Sequence, residues 1–246
     1  MIVHSSEWTP VMKGQLDAAQ SEQQKRAVLR KYGYGVPSYE RALLSSANDL
    51  TLIAEDELQP FWKEGSLIKT RHMNLHQFPW PRTELEQLGE TEVELRITLS
   101  YFVEPNPGER GWLRRHRYPS HALRFGVKRA LESVDEFRAR INKAAVAEEE
   151  GLAPIDAGPD DCYLGRIRNV GSIHSDYWRG TAAALAQRSA VGVYPIGGWW
   201  KENPAHQRYD SKTRYALIVS IRAANGTVDI YTPVKAQIEA PVEIAI

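Results

Sequence analysis

The sequence predicts an α+β chain, mainly β, in which a short helical N-terminal region precedes an antiparallel β-sandwich of about eight strands with one inserted helix. Three observations predict this. The apolar period changes from helical to alternating near Ser46 to Asp49. Several later runs alternate strictly between apolar and polar residues, the clearest being Thr91 to Ser100. An Asn225-Gly226 pair separates two such runs, and Asn-Gly between alternating runs is a strong hairpin signal. The boundary divides the chain into residues 1–48 and 49–246.

The helical region carries its own punctuation. Ser21-Glu22-Gln23-Gln24 has the form of a capping box, and Ala27, Val28 and Leu29 follow it. Arg30 and Lys31 stand near the expected C-terminus, where cations suit the helix dipole. Gly33 supplies a left-handed stop. Pro37 then suits the first turn of a short helix carrying Tyr39, Ala42 and Leu43.

Beyond Asp49, Leu50, Leu52 and Ala54 alternate with polar positions. Val93, Leu95, Ile97 and Leu99 share one face of a strand, with Glu92, Glu94, Arg96 and Thr98 on the other. Leu123, Phe125 and Val127 repeat the pattern, as do Tyr215, Leu217, Val219 and Ile221, then Val228 and Ile230. Val191 and Val193 mark one more strand. Strict alternation predicts sheets with one wet face. The inserted helix starts at the capping box Ser133-Val134-Asp135-Glu136 and places Val134, Phe137, Ile141 and Ala145 on one side. Gly151 ends it, and a turn-rich loop through Pro154, Gly158 and Pro159 follows.

Composition sets the outer bounds. The 246 residues carry 31 basic and 31 acidic side chains, so no global field draws the chain to nucleic acid or to an acidic membrane, and neither is an expected partner. No apolar run reaches transmembrane length. The single cysteine, Cys162, excludes an intramolecular disulfide and a Cys-based zinc site. One free thiol suits a reducing compartment, so the expected location is cytoplasmic. The first residues, Met1-Ile2-Val3-His4, lack the pattern of a signal peptide and read as the middle of an element whose beginning is absent.

Motifs for chemistry are sparse. His72 and His76 stand four apart but lack the following Glu of a zincin, and the segment reads as strand and loop, so no metal site is expected. Glu55-Asp56-Glu57 and Asp160-Asp161 have no EF-hand spacing and read as solvated edges. His4 beside Ser5 and Ser6 reads as a helix end facing a missing or neighbouring domain, because triads are assembled from residues distant in sequence. Gly197-Gly198-Trp199-Trp200 reads as core-capping aromatics at a strand end. The stretch with partner-binding character is the basic loop between Glu104 and Tyr118, whose Arg110, Trp112, Arg114, Arg115 and Arg117 combine the preferred interface anchors. No catalytic or cofactor-binding residue is assigned.

The run Tyr32-Gly33-Tyr34-Gly35-Val36-Pro37-Ser38-Tyr39-Glu40-Arg41-Ala42-Leu43, with Ile2-Val3-His4-Ser5-Ser6-Glu7-Trp8, resembles the closing segment of the catalytic domain of subtilisin-like serine proteases (subtilases). Four later stretches are similar to the β-sandwich that follows it in one bacterial branch: Leu52-Ile-Ala-Glu-Asp-Glu, Leu99-Ser-Tyr-Phe-Val-Glu-Pro-Asn-Pro-Gly, Ile173-His-Ser-Asp-Tyr-Trp-Arg-Gly-Thr-Ala and Tyr194-Pro-Ile-Gly-Gly-Trp-Trp-Lys. The resemblance implies a jelly-roll-like C-terminal domain that stabilises or orients a catalytic half or presents substrate to it. It implies two partners, that catalytic half and an AAA-type ATPase. The family's Asp-Ser/Thr-Gly, His-Gly and Gly-Thr-Ser-x-Ala motifs do not occur. Gly180-Thr181-Ala182-Ala183-Ala184 lies on the wrong side of the glycine turn and reads as a turn entering a short helix. The chain alone is therefore expected to be inactive. The apolar face of the helical region, with Ile2, Val3, Leu29 and Leu43, is expected to form an exposed patch and to support a homodimer. The alternative is a freestanding protein-binding module acting through the Arg110–Arg117 loop.

Overall fold

A computed structural model describes residues 1–43, 49–71, 73–107, 118–151, 162–223 and 229–232. Helix and strand take about equal shares of it, so the chain is α+β with antiparallel sheets, without the predominance of strand that the alternation predicts.

The N-terminal region contains α1 (Ile2–Ser5), β1 (Ser6–Glu7), α2 (Pro10–Asp17), α3 (Glu22–Tyr32), β2 (Val36–Pro37) and α4 (Tyr39–Leu43). The Ser21/Gln24 capping box forms in full, and Gly33 closes α3 with φ +57°. Gly35 has a second requirement. Its φ is +97°, and a Cβ there would lie 2.2 Å from the Glu7 carbonyl oxygen, because β1 and β2 pair directly beside it. Only glycine admits both the conformation and the contact.

The larger sheet joins β3 (Asp49–Leu58), β7 (Glu92–Tyr101), β9 (Ile173–Thr181) and β11 (Thr213–Ala223) in the order β3-β11-β7-β9, all antiparallel. The smaller joins β6 (Asn74–Gln77), β8 (Ala122–Val127) and β10 (Ala190–Ile196) in the order β6-β10-β8. A two-stranded ribbon, β4 (Phe61–Glu64) with β5 (Leu67–Thr70), stands apart from both. One apolar core takes Val93, Leu95, Ile97 and Leu99 with Leu217 and Val219 from the first sheet, and Leu123, Phe125, Val191 and Val193 from the second.

The inserted helix, α6 (Val134–Glu150), has the predicted capping box and ends at Gly151. Gly126 and Gly192 face each other in the β8/β10 register, and a Cβ at Gly126 would come within 2.5 Å of Ile141 while one at Gly192 would press on Phe137. The missing side chains form the slot that the two buried residues of α6 fill. Arg124 of β8 reaches Glu148 of α6 at 2.7 Å.

Besides α7 (Ala182–Ala186), the short helix expected after the Gly180-Thr181 turn, two helices among the described residues interrupt the strands where the sequence does not predict them: α5 (Arg82–Leu88) and α8 (Trp199–Glu202). The α5 segment buries Leu85 and Leu88, one turn apart, and the Trp80 indole donates to Leu185 O at 3.0 Å. The Thr181 hydroxyl caps α7, so Gly180-Thr181-Ala182 is the turn entering a short helix. The Asn225-Gly226 hairpin lies outside the described residues. Ile230 just beyond it is fully buried in the main core.

The prediction of one wet face does not hold for β7. Glu94, Arg96 and Thr98 are 9%, 7% and 4% exposed. The N-terminal region covers them, and alternation reports which residues share a face without reporting what lies on it.

Candidate functional site

The polar face of the four-stranded sheet is built by register. Glu94 stands opposite Arg179, Arg96 opposite Tyr177, and Thr98 opposite Ser175; on the other side Ser220 stands opposite Arg96 and Arg222 opposite Glu94. Directly opposed side chains on one face are the contacting pairs of a sheet. The Arg179 guanidinium donates to Glu94 Oε2 at 2.7 Å, and the Thr98 and Ser175 hydroxyls lie 2.7 Å apart. The Arg96 and Arg179 guanidiniums sit 5.3 and 5.0 Å from the Tyr177 ring centre, a cation–π arrangement.

The N-terminal region docks on this face through polar groups. Arg41 of α4 bridges Glu94, at 2.9 Å, and Glu7 of β1. Arg96 donates to Ser6 O at 2.5 Å and to Glu94. Burial works against the charged form of Glu94, but Arg96, Arg179 and Arg41 outweigh it and hold the carboxyl at about 2. The His4 ring spans the face, with Nδ1 2.9 Å from Thr98 Oγ1 and Nε2 3.0 Å from Ser220 Oγ. Burial, then the charges of Arg96 and Arg41, pull His4 down to about 3, so it is neutral at pH 7. The Ser5 and Ser6 hydroxyls donate to Ile2 O instead of to the imidazole. His4 and Ser220 therefore form a histidine–serine pair, but both are buried and, among the described residues, no carboxylate orients the ring. It ties an interface together and has none of the access that acyl transfer requires.

Around this polar seam, α2 and α3 pack on a helical turn at residues 165–168. Trp8, Leu16 and Leu29 form a small core with Leu164 and Ile167. Leu29 thus lies inside, not in the exposed apolar patch that the sequence predicts, because the turn at residues 165–168 meets its face of α3. Val3 is half-buried, and the Leu43 side chain lies outside the described set. Met12, Val28 and Tyr34 pack partly against the same small core, whereas Ile2 is 73% exposed and Val11, Val36 and Tyr39 are exposed with it.

The opposite end of the same sheet face is open. Glu55, Ala216 and Ser100 form one row, small in its middle, beside Glu57, Arg214 and Phe102, and together with Asp56 they line a cleft of about 510 Å³. Phe102 is 89% exposed. Beneath the cleft, the Tyr215 hydroxyl meets His76 Nε2 at 2.6 Å, accepts from the Asn74 amide at 3.0 Å and reaches Asp56 Oδ2 at 3.3 Å. This cluster links β3 and β11 to β6 of the other sheet. Burial raises the Tyr215 hydroxyl, and it lowers His76 against the opposing charge of Asp56. Glu55, Asp56 and Glu57 are all exposed, the solvated edge the sequence predicts, with Asp56 bound to Tyr215 and Glu57 paired with Lys212. His76 lies on β6, and His72 falls outside the described residues. Among the described residues no group of three or more His, Cys, Asp or Glu side chains converges to hold a metal.

Arg110, Trp112, Arg114, Arg115 and Arg117 all lie outside the described residues. The described residues on either side are tied together: Pro105 bridges Pro119, Asn106 N donates to Tyr118 O at 2.9 Å and Ser120 N donates to Glu104 O at 3.0 Å. Trp199 and Trp200 brace this pairing. Their indoles donate to Glu104 O at 2.9 Å and to Glu104 Oε2 at 3.0 Å, and Arg208 holds the same carboxylate at 2.6 Å. Both tryptophans are buried, which is the core-capping role expected of them. Sequence reasoning missed Glu104 as their partner and missed the whole docking role of the β7 polar face. The signal available was three ionisable or hydroxyl residues, Glu94, Arg96 and Thr98, alternating inside the most apolar strand.

No family model matches the chain, and no curated protein matches it significantly. Among the described residues, no helix is long and apolar enough to cross a membrane.

Proposed function

We propose that this chain is the C-terminal accessory region of a subtilisin-like serine endopeptidase, with the helical region serving as the joint between a catalytic half and the strands. The observation that carries this reading is the two-sidedness of residues 1–43. One side docks on the four-stranded sheet through His4, Arg41 and Glu94, while Ile2, Val11, Val36 and Tyr39 stay exposed. Exposed apolar side chains of this kind supply an interaction site where they adjoin one another. The glycine turn at Gly33 and Gly35, which carries the family resemblance, is also what allows β2 to pair with β1.

In this reading the two antiparallel sheets form a jelly-roll-like sandwich, supported by a single core that draws side chains from both. The chain has no hydrolytic activity of its own. It steadies the catalytic half, and an AAA-type ATPase is the further partner, in a cytoplasmic setting that suits the lone Cys162. A homodimer through the outward apolar residues is the state expected when the catalytic half is absent. The DNA upstream of the Met1 codon tests the reading. In-frame coding for Asp-Ser/Thr-Gly, His-Gly and Gly-Thr-Ser-x-Ala supports it. A stop codon with no such motifs nearby overturns it.

One observation favours a second reading, a binding module that uses the basic loop. The described residues on either side of the loop are tied together and flanked by the exposed rings of Phe102 and Tyr118. Substituting Arg114, Arg115 and Arg117 together by Ala should then abolish capture of an acidic partner protein, and unchanged capture discards this reading.

A further inference from the structure

The first helix is attached to the sheet in an unusual way. Its buried residues are His4 and Ser5, whereas Ile2 points to solvent. Among the described residues, the polar contacts where α1 and β1 meet β7 and β11 are the His4 hydrogen bonds and the Arg96 bond to Ser6 O, beside the half-buried Val3. Residues 36–43 add the Arg41 bridge to Glu94 and the β1–β2 pairing. By contrast, α2 and α3 are fixed to Leu164 and Ile167 by a small apolar core.

The charges facing His4 can be enumerated. From β7 come Arg96 and Glu94, from α4 Arg41, from β9 Arg179 bound to Glu94, from β11 Arg222 opposite Glu94, and from β1 Glu7 bound to Arg41. Glu94 already serves three guanidiniums, so it has little capacity left for a fourth cation. An imidazolium could still donate to Thr98 and Ser220, since hydroxyls accept as readily as they donate. The hydrogen bonds would survive protonation, and the obstacle is the uncompensated charge in a buried, cationic seam.

We infer that His4 is an acid-sensitive latch: taking up a proton releases α1, the β1–β2 pair and α4 from the polar face of the sheet, while α2 and α3 stay attached through the Trp8–Leu164 core. The inference does not depend on the protease reading. It makes the docking of the helical region reversible in mildly acidic solution, short of unfolding.

Hydrogen exchange resolved by segment on the full chain, between pH 7.5 and 5, tests it. Protection factors across residues 2–7 and 36–42 should fall about tenfold per pH unit once the pH drops below the ordinary histidine range, the dependence expected for uptake of one proton. Residues 22–32 and the strands β7 and β11, which open only with the whole fold, should stay better protected than residues 2–7 and 36–42 throughout that range. In His4→Gln, whose amide can both donate and accept but cannot titrate, the fall should vanish. The same fall in His4→Gln overturns the inference. So does exposure of residues 2–7 only in step with β7 and β11 in the unmodified chain, a result that decides the matter even where the variant does not fold.

Discussion

Replacing Glu94 by Gln isolates the electrostatic content of the docking seam. The substitution preserves shape and removes the charge that Arg41, Arg96 and Arg179 share. The carboxyl is 9% exposed and is held at about 2 against an ordinary 4.5. At 1.36 kcal/mol per pH unit this difference corresponds to about 3 kcal/mol in favour of the ionised folded state. It agrees in size with the ~3–5 kcal/mol expected on removing one partner of a buried ion pair. The sign follows from the direction. A carboxyl held low stabilises the fold above its ordinary value, and that contribution is lost as the pH falls from 4.5 through about 2. The comparison therefore belongs at pH 7, where the term is whole. With a urea dependence of about 3 kcal/mol per molar, the unfolding midpoint of Glu94→Gln should lie roughly 1 M below that of the parent chain. Arg179→Gln, whose guanidinium is 48% exposed, should cost distinctly less, about 1 kcal/mol. A midpoint for Glu94→Gln within 0.2 M of the parent, a change of about 0.6 kcal/mol at that slope, would refute the view that this carboxylate holds the seam.

Acid should unfold the whole chain near the upper edge of the carboxylate range, driven by buried histidines. Burial pulls His4 and His174 down to about 3 and His121 to about 4. Groups held low in this way stabilise the fold above pH 6.5, and the loss between 6.5 and 4 amounts to about 4 kcal/mol per pH unit for three histidines. Tryptophan fluorescence should report a cooperative transition between about pH 5 and 4, and a chain still fully folded at pH 4 contradicts the assignment. Gly35→Ala should destabilise by at least ~2 kcal/mol in urea melts, more than Gly33→Ala, because only the former meets the Glu7 backbone as well as an unfavourable φ. Equal costs at the two glycines would contradict this. Leu29→Ala should cost about 2–5 kcal/mol by opening a cavity beside Trp8, Leu164 and Ile167, whereas a neutral substitution would return Leu29 to the surface.

Several parts of the fold are legible because they depend on local chemistry. The two capping boxes, the Gly33 stop and the alternation of β7, β8 and β11 each follow from neighbours a few residues apart. The parts that escape depend on partners distant in the chain. Leu29 reads as patch or core according to whether Leu164 and Ile167, more than a hundred residues later, come to meet it. Glu94 and Arg96 read as solvated until His4, Arg41 and Ser6 are laid across them. The short helix α5 buries two apolar residues, too few to establish a period. In α5 the Leu85/Leu88 spacing between Pro81 and Gly89 is a local sign of a helix, but a strand-rich context outweighs it.

The same distinction explains why the interface is polar. An apolar outer face on β7 and β11 would give the sheet two sticky surfaces before the helical region arrived, with the aggregation hazard of exposed strands. With Glu94, Arg96, Thr98, Ser175 and Ser220 there instead, the sheet keeps a hydrated face until the helices cover it. Desolvation of those groups is then offset by specific bonds: three guanidiniums on one carboxylate, one imidazole between two hydroxyls, and a guanidinium on the Ser6 carbonyl. Such a seam is selective in register, since a shift of one residue along β7 would turn Leu95 and Ile97 outward and bury Glu94 and Arg96 in the core. It is also weaker per unit area than an apolar seam. That combination suits a joint that must find one position and still be able to leave it, and it locates the chain's most consequential chemistry at the contact between residues 1–43 and β7, not in the open cleft at the far end of the sheet.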